Sequence, residues 1–428
     1  MRIALVNGFG HTGNVGDLAL LQATVHLLLS AFPDAAISVI PWQRKSPRLQ
    51  AAFDRLTDSW PQVELTDAIL PAPFNQAPFP FASSSDRAKA LAYSLWVNIS
   101  SELRYRLFLP RRGSLSSGPF RGVDLVVLRG CNIVQRDGDL RALASVRRVT
   151  FPMKVAQRLG IPTVLMNFSA GPLDSRLARA MVASIVRRAS FVSTREELTL
   201  GYLRQLTPCA PVLSADAVFA LPFHRLDAAD CDPMLVGLNV LSRAEYLATV
   251  GGPLTHYDAL LERLATELNC LMARVPKLRV LGIPHEADMG PELSDRNLMV
   301  ASVSRLSHPE RMSIASHAAS PEDVVDAYAR CAVALGMRFH GFVLASLAGT
   351  PMLGIDINSR KARGVARSLG VETRMVDLGR DGHLAEQVAA ALADVGKLRT
   401  LTVQRAFDMR KLVFDTLPRF ASAMGAPQ

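Results

Sequence analysis

Strand and helix patterns alternate along almost the whole sequence, and this alternation restricts the chain to an α/β fold. Short apolar runs bounded by turn residues predict buried strands, and amphipathic stretches of helical length separate most of them. Apolar strands that alternate with helices are typical of parallel sheets covered on both faces. The strand-like runs are 2–7, 123–130, 163–168, 191–195, 235–240, 278–283, 332–336 and 352–357, and the clearest helical stretches are 175–188, 257–274 and 321–330.

A break in this alternation at 221–234 divides the chain. The segment is rich in Pro, Asp and Ala, and a new strand pattern begins after it. We therefore predict an N-terminal α/β domain over 1–228, a C-terminal α/β domain over 229–380, and a helical segment over 381–428 that packs back across both domains. Two doubly wound, Rossmann-like domains that face a cleft form the GT-B-like fold, in which ligands bind at the carboxyl ends of strands.

The composition indicates a folded protein with an anionic partner. Hydrophobic residues make up 49% of the chain and charged residues 20%, which allows a large buried core. The formal net charge is +10, which favours phosphate-bearing substrates, acidic polymers or lipid head groups. The sequence has none of the usual nucleic-acid-binding motifs, so no nucleic-acid partner is expected. The five cysteines form no C-x-x-C pair, so we expect reduced thiols in a cytoplasmic protein and no zinc site.

The segment 71–122 interrupts the α/β pattern. It begins Pro-rich and continues as an amphipathic stretch that ends in a cluster of arginines. Such a stretch is suited to an anionic membrane surface or a lipid-linked acceptor, although its apolar side could equally pack on the N-terminal domain. No apolar run is long enough to predict a membrane span or a signal peptide. The apolar residues are Leu91, Leu95, Trp96, Ile99 and Leu103, and the arginines are Arg104, Arg106, Arg111 and Arg112.

The loop NGFGHTGNVGD at 7–17 matches the dinucleotide fingerprint G-x-G-x-x-G at its first three glycines. The helical pattern that follows is clear only from Leu18, and Asp17 just before it is expected to cap the helix. A capping carboxylate would repel a phosphate from the helix N-terminus. We therefore interpret the loop as something other than a NAD or FAD site, while the capping role of Asp17 remains an alternative to a catalytic one.

The stretch 331–370 contains the strongest candidate site. Arg338 and His340 follow a predicted buried strand that ends at Gly336, and Lys361 follows the next predicted strand. The arginine fork suits a carboxylate or phosphate, lysine supplies a point charge, and histidine transfers protons near neutral pH. Each of these residues alone is commonly a solvated or capping residue. Together at one sheet edge they predict an anion site with a proton donor.

At these positions the chain resembles the polysaccharide pyruvyl transferase family. The resemblance covers most of the chain outside 71–122 and is most specific in 321–370. Three departures from the family pattern occur: the glycine triplet reads RGC, the R-L-H signature reads RFH, and Glu196 replaces an aspartate. The matching elements are Asn14-Val15-Gly16-Asp17, LRGCN (128–132), NFSAGP (167–172), VSTRE (192–196), SADAVF (214–219), Arg338-Phe339-His340 and Lys361.

The resemblance implies a GT-B-like pyruvyl transferase that moves the enolpyruvyl group of phosphoenolpyruvate onto sugar hydroxyls. The product would be a pyruvate ketal on a bacterial surface glycan, such as an exopolysaccharide, or on its free or lipid-linked precursor. The N-terminal domain would hold the acceptor and the C-terminal domain phosphoenolpyruvate. No metal or nucleotide cofactor is needed, and the enzyme would be cytoplasmic, with contact to the inner face of the membrane.

The resemblance also implies roles for particular residues. His340 would be the general acid, Arg338 and Arg195 would hold the donor anion, and Lys361 would help the phosphate leave. Asp17 would be a base or a hydroxyl ligand for the acceptor, on the domain opposite the donor. The remaining substrate-binding residues would be Asn14, Gly16, Gly130 and Asn132.

Two other functions remain open from the sequence. A GT-B glycosyltransferase or sugar-nucleotide epimerase would use the same basic cluster for the diphosphate of a nucleotide sugar. A non-catalytic member of the fold would retain the sheets without turnover, although the joint presence of Arg195, Arg338, His340 and Lys361 argues against it.

Overall fold

The computed structural model describes the chain in a set of ranges, within which it is α/β throughout, as the alternation predicts. The described residues are 1–7, 14–41, 60–66, 120–135, 140–223, 231–243, 245–246, 254–286, 294–316, 320–357, 360–378 and 383–425, with isolated positions between 49 and 103. The chain divides into two compact units. The first comprises Met1–Thr12, Leu20–Ala217 and Leu412–Gln428, and the second comprises Gly13–Ala19 and Val218–Lys411.

The strands and helices have the following bounds. The strands are β1 (Arg2–Val6), β2 (Ala36–Ile40), β3 (Val63–Leu65), β4 (Leu125–Leu128), β5 (Asn132–Gln135), β6 (Thr163–Leu173), β7 (Phe191–Thr194), β8 (Val212–Leu213), β9 (Asp232–Asn239), β10 (Arg279–Gly282), β11 (Met312–Ile314), β12 (Cys331–Gly336), β13 (Met352–Ile355) and β14 (Met375–Val376). The helices are α1 (Val15–Ala31), α2 (Leu140–Arg158), α3 (Arg176–Arg187), α4 (Glu197–Leu206), α5 (Leu254–Arg274), α6 (Asp295–Val303), α7 (Pro321–Ala329), α8 (Phe339–Leu347), α9 (Arg360–Ser368), α10 (Leu384–Ala393), α11 (Val395–Phe414) and α12 (Leu417–Ala423).

Each unit contains one parallel sheet. The strand order in the first is β3-β2-β1-β4-β6-β7-β8, with β5 beside β6, and the order in the second is β11-β10-β9-β12-β13-β14. In both sheets the chain builds outward on one side and then returns to build outward on the other. The direction reverses between β1 and β4 in the first sheet and between β9 and β12 in the second. Such switch points leave a crevice beyond the strand carboxyl ends where ligands bind.

The central strands explain why the sequence pattern was so clear. Every residue of β4, β12 and β13 is buried. Because successive side chains point to opposite faces, complete burial means that both faces of these strands are covered. All eight predicted strands are observed. The strands that were not predicted are β2, β3, β5, β8, β11 and β14.

Part of the amphipathic stretch within 71–122 is helical, at 92, 96, 99–100 and 102–103. The side chains of Trp96, Ile99 and Leu103 are 68%, 53% and 50% exposed, so these three do not pack their apolar surface on the first unit. The other residues named for this stretch lie outside the described residues: Leu91, Leu95, Arg104, Arg106, Arg111 and Arg112. Among the described helices, none is both long enough and apolar enough to cross a membrane.

Candidate functional site

The second unit places a buried arginine and a histidine just beyond strand β12. A Cβ added to Gly336, the last residue of β12, would lie 3.4 Å from the Cβ of Asn239, the last residue of β9. The two strand ends therefore approach each other closely at the switch point. Arg338 precedes the first residue of α8, and His340 lies in the first turn of that helix. The RFH signature thus stands in the crevice where parallel sheets bind their ligands.

Three carboxylates surround the guanidinium of Arg338, whose side chain is only 5% exposed. Its Nη2 donates to Asp295 Oδ1 at 2.6 Å and to Glu286 Oε2 at 3.1 Å. Its Nη1 forms an ion pair with Glu245, and its Nε donates to the carbonyl of Val240 at 3.4 Å. From sequence this fork is assigned to a substrate anion, whereas in the structure protein carboxylates accept its hydrogen bonds.

The charges in this Arg338 cluster are unbalanced, because three carboxylates face one cation. Burial, opposed by Arg338, raises the pKa of Glu286 to about 7 and the pKa of Asp295 to about 6. Burial alone would lower the pKa of Arg338, but Asp295, Glu245 and Glu286 outweigh it and raise that pKa. Arg338 therefore stays charged, while Glu286 takes up a proton near neutral pH and reduces the excess negative charge.

Neutral polar groups complete the surroundings of the Arg338 cluster. Asp295 Oδ2 accepts hydrogen bonds from the backbone N–H groups of His285 and Glu286, both at 3.1 Å. The buried imidazole of His285 lies 3.0 Å from the hydroxyl of Tyr328, and burial next to Arg338 lowers the pKa of His285 well below its usual value. Burial raises the pKa of Tyr328. These groups fix the carboxylates without adding charge.

The raised pKa values predict that stability falls as the pH rises. In the folded chain Glu286 and Asp295 hold their protons up to about pH 7 and about pH 6, respectively. The stabilisation is fully present below the ordinary carboxyl range and is lost as the pH rises through these two values. We expect the melting temperature to drop by several degrees between pH 5 and pH 8, as measured by thermal denaturation followed by circular dichroism.

Glu286→Gln should flatten this pH dependence, because its amide is neutral throughout. Glu262→Gln, at an exposed position of α5, is the matched control and should leave the slope unchanged. Equal slopes in both variants would show that Glu286 does not titrate in this range.

Helix α1 begins earlier than the sequence suggested, and its first turn belongs to the second unit. The predicted cap at Asp17 is wrong, because the helix starts at Val15 and the Asn14 side chain accepts a hydrogen bond from the Asp17 N–H at 3.2 Å. Val15 and Gly16 are weak helix formers, which hid this turn in the sequence. Its start is held instead by a backbone bridge between Asn14 and Glu286 and by a bond from Val15 N–H to the His285 carbonyl at 3.0 Å.

Because α1 begins at Val15, a late helix start no longer argues against a dinucleotide site at the glycine-rich loop. The three glycines of the fingerprint lie within 8–13, outside the described residues.

Gly16 lies directly against His340. A Cβ added at Gly16 would come within 2.5 Å of the His340 Cγ and 2.9 Å of its Cβ, so only a glycine fits beneath this histidine. The resemblance implies that 14–17 lie on the domain opposite the donor residues. The structure instead brings the Asn14–Asp17 motif and the RFH signature together at one point of the second unit.

The first unit joins three other family-like elements in a buried hydrogen-bond network. Arg195, which follows β7, donates from Nη1 to Asp216 Oδ2 at 2.8 Å and from Nε to Ser169 Oγ at 2.6 Å. Asn167, with φ of 49°, donates from Nδ2 to Ser214 Oγ at 2.8 Å. The side chains of Arg195 and Asp216 are each 2% exposed. The NFSAGP, VSTRE and SADAVF elements therefore form one structure, in which Arg195 has a carboxylate partner.

The remaining predicted site residues are placed as follows. Gly130 is buried, and a Cβ there would lie 2.9 Å from the carbonyl oxygen of Asn167, so the turn packs tightly on β6. Asn132, the first residue of β5, is exposed. Lys361 is the second residue of α9, and its side chain lies outside the described residues. Arg195, Gly130 and Asn132 belong to the first unit, and the other predicted residues belong to the second.

The carboxylates that hold Arg338 are not among the site residues predicted from the sequence. Glu286 and Asp295 bracket the segment after β10, and β10 neighbours β9 in the sheet. Acids at the carboxyl end of a strand near the switch point were therefore a usable signal. Glu245 offered none, because it lies beyond the end of β9 in a stretch without periodicity.

A model of the polysaccharide pyruvyl transferase family matches residues 14–359, a range that includes Asn14, Arg195 and His340 and ends just before Lys361. No curated protein sequence is similar enough to the chain to count as a match.

Several solved structures have a similar fold. UGT73P12 of Glycyrrhiza uralensis, solved with glycyrrhetinic acid 3-O-monoglucuronide, is 8% identical with a TM-score of 0.58, over 99% of this chain and 96% of that one. UDP-GlcNAc 2-epimerase of Neisseria meningitidis, bound to UDP-GlcNAc, is 10% identical with a TM-score of 0.57, over 99% and 100%. HepE of Anabaena, in complex with UDP, is 12% identical with a TM-score of 0.55, over 99% and 100%. Identities this low establish the fold alone, which is GT-B-like as predicted.

Proposed function

Because the chain belongs to the polysaccharide pyruvyl transferase family, we propose that it transfers the enolpyruvyl group of phosphoenolpyruvate to sugar hydroxyls. The acceptor is a bacterial surface glycan or its precursor, and the products are a pyruvate ketal and phosphate. The observation that supports this most directly is the contact between Gly16 and His340, since it joins two family motifs from opposite ends of the matched range.

The reaction needs a proton donor, a proton acceptor and a path for phosphate to leave. The imidazolium of His340 gives its proton to the methylene carbon, and the oxygen of the first sugar hydroxyl bonds to the adjacent carbon. Asp17, in the first turn of α1, takes the proton of that hydroxyl. The bond between that carbon and the bridging oxygen of the phosphate then breaks, and phosphate leaves with the electron pair and takes up the proton held by Asp17. A second hydroxyl closes the ketal and returns a proton to His340.

The two arginines take different parts in this proposal. Arg195 has one carboxylate partner, Asp216, and keeps the donor-anion role that the resemblance implies. Arg338 is surrounded by three carboxylates, and a phosphate would meet their repulsion there. We therefore give Arg338 a positioning role: it orients Glu286 beneath the α1 turn and fixes the start of α8, which carries His340. Lys361 remains the proposed cation for the departing phosphate.

We also propose a cellular setting for the reaction. Phosphoenolpyruvate is a metabolite of the cytoplasm, so we place the enzyme there. Trp96, Ile99 and Leu103 expose apolar side chains at helical positions, which suits contact with the inner face of an anionic membrane that carries a lipid-linked acceptor. Neither a metal nor a nucleotide is part of the scheme.

Phosphate release from phosphoenolpyruvate, measured across a panel of sugar acceptors with mass detection of the product, tests the proposal. We expect release that depends on the acceptor, together with a product that carries one pyruvyl group. A thermal-shift comparison of phosphoenolpyruvate with nucleotide sugars is the second arm. Stabilisation and turnover with a nucleotide sugar alone would instead support a glycosyltransferase or epimerase. No turnover with either class would favour a non-catalytic member.

His340→Ala should lower the rate of phosphate release by at least about 100-fold, the usual contribution of a positioned general acid. His383→Ala, at an exposed histidine beside α10, is the matched control and should retain the wild-type rate. Turnover at the wild-type rate in His340→Ala would remove this histidine from the chemistry.

A further inference from the structure

A buried asparagine lies at the switch point of the first sheet. Asn7 directly follows β1, is 2% exposed and has φ of 62°. Within the described part of the chain, neither its Oδ1 nor its Nδ2 has a hydrogen-bond partner. An unpaired buried amide costs about 1–3 kcal/mol, and a left-handed backbone is uncommon outside glycine. Native chains rarely keep such a cost without a ligand or function to offset it.

The Asn7 amide lines a small cavity at the carboxyl ends of β1 and β2. The cavity has a volume of about 10 Å³, and Ile40, Pro41 and Arg148 form part of its wall. This volume accommodates one oxygen-sized atom. The lining therefore includes two polar residues: one has a side-chain amide that both donates and accepts, and the other has a guanidinium that only donates.

The charge at this cavity favours an oxyanion. Arg148 lies on α2, and its Nη2 donates to Ser145 Oγ at 3.1 Å. Burial lowers the pKa of Arg148 to about 10, which reflects hydration that the cation has lost. A guanidinium forms stronger hydrogen bonds with an anionic oxygen than with a neutral one. The backbone N–H of Arg129 donates to the Val6 carbonyl at 3.1 Å, so a second buried arginine follows the neighbouring strand, β4.

We propose that Asn7 and Arg148 bind an oxyanion carried by the acceptor sugar. One oxygen of the group enters the cavity and accepts hydrogen bonds from Asn7 Nδ2 and the Arg148 guanidinium. The substrate class is thus an acidic sugar, with its charge on a phosphate or a carboxylate. The assignment to the acceptor rests on the proposed transfer reaction, which already assigns the donor to Arg195, His340 and Lys361; the oxyanion site itself does not depend on that reaction.

The test follows the side-chain amide signal of Asn7 by NMR in protein labelled with 15N-asparagine. The signal is assigned by its loss in Asn7→Gly, a substitution that tolerates the left-handed backbone. Inorganic phosphate and glucuronate are the probes, and the one that saturates at lower concentration identifies the oxyanion. We expect a saturable shift in the wild type and at least tenfold weaker binding in Arg148→Met. Arg147→Met, which removes a neighbouring charge that pairs with Glu102, should bind like the wild type.

A signal that responds to neither probe would overturn the proposal and leave the cavity to an ordered water only. Equal binding by Arg148→Met and Arg147→Met would overturn it as well, and this comparison stands even if Asn7→Gly does not fold.

In kinetics, Arg148→Met should raise KM at least tenfold for an acidic acceptor and leave KM for phosphoenolpyruvate unchanged. A raised KM for phosphoenolpyruvate alone would overturn the assignment to the acceptor. Probe binding without any pyruvyl transfer would contradict the proposed function and leave the oxyanion site standing.

Discussion

Arg338→Met is expected to lower the free energy of unfolding by about 4 kcal/mol, because it leaves buried carboxylates without their cation. Asp295 is fully buried, and Glu286 and Glu245 converge on the same guanidinium. Methionine fills a similar volume, so the loss would come mainly from charge and hydrogen bonds. Chemical denaturation at pH 7.5 measures the effect, and at a pH low enough to protonate the carboxyl groups the deficit should shrink.

Two further variants separate this effect from a general cost of removing an arginine. Arg367 pairs with Glu372 at the surface, with both side chains about half exposed, so Arg367→Met should cost less than about 1 kcal/mol. Adding Asp295→Asn and Glu286→Gln to Arg338→Met should recover part of the lost stability, because the remaining groups are then mostly neutral. If Arg338→Met costs no more than Arg367→Met, the three carboxylates are not held by Arg338 in solution.

The fold could be predicted because its central strands are buried on both faces. An unbroken apolar run such as that of β12 has few alternatives to a parallel strand between helices. The unpredicted strands β8 and β14 have two residues each, too short for any periodicity to be visible. Their pairing depends on neighbours that are distant in the sequence, and a single sequence does not reveal those neighbours.

The candidate site was predicted less completely, for a physical reason. Arg338 and His340 stand out as polar residues at the junction of two apolar elements, β12 and α8. The partners of Arg338, however, are distant from it in the sequence. An arginine at a strand end has the same local sequence whether it faces a substrate or a carboxylate. The start of α1 was predicted too late for a similar reason. Val15 and Gly16 have low helix propensity, and contacts with the distant residues His285 and Glu286 override it.

The two sheets place the same residue types at their switch points and surround them differently. Each sheet has an asparagine at the carboxyl end of its first strand: Asn7 follows β1, and Asn239 is the last residue of β9. Each sheet also has an arginine after the neighbouring strand, Arg129 after β4 and Arg338 after β12. Carboxylates surround Arg338, whereas Arg148 stands with Asn7 at the cavity of the first sheet. Similar strand ends are thus surrounded by carboxylates in one unit and by arginines in the other, and of the two only the surroundings in the first unit suit direct contact with an oxyanion.

Gly16→Ala should abolish most of the turnover, with a fall in kcat of about 100-fold. Glycine is normally a poor residue for a helix, and alanine would stabilise an ordinary helix by about 0.5–1 kcal/mol. At position 16, however, the new methyl group would meet the Cβ and Cγ of His340 at 2.9 and 2.5 Å. Rotation of the imidazole alone does not relieve a clash with Cβ, so either α1 or the start of α8 must move. The general acid then loses its position relative to Asp17.

Gly201 in α4 is the matched control for this substitution, because a Cβ there would meet nothing within 4 Å. Gly201→Ala should raise the melting temperature slightly and leave turnover unchanged. Gly16→Ala should keep a folded far-UV circular dichroism spectrum while it loses acceptor-dependent phosphate release, and the loss should appear in kcat more than in KM for phosphoenolpyruvate. Wild-type kcat in Gly16→Ala would mean that His340 does not work against the α1 turn, and the two family motifs would then have to act separately.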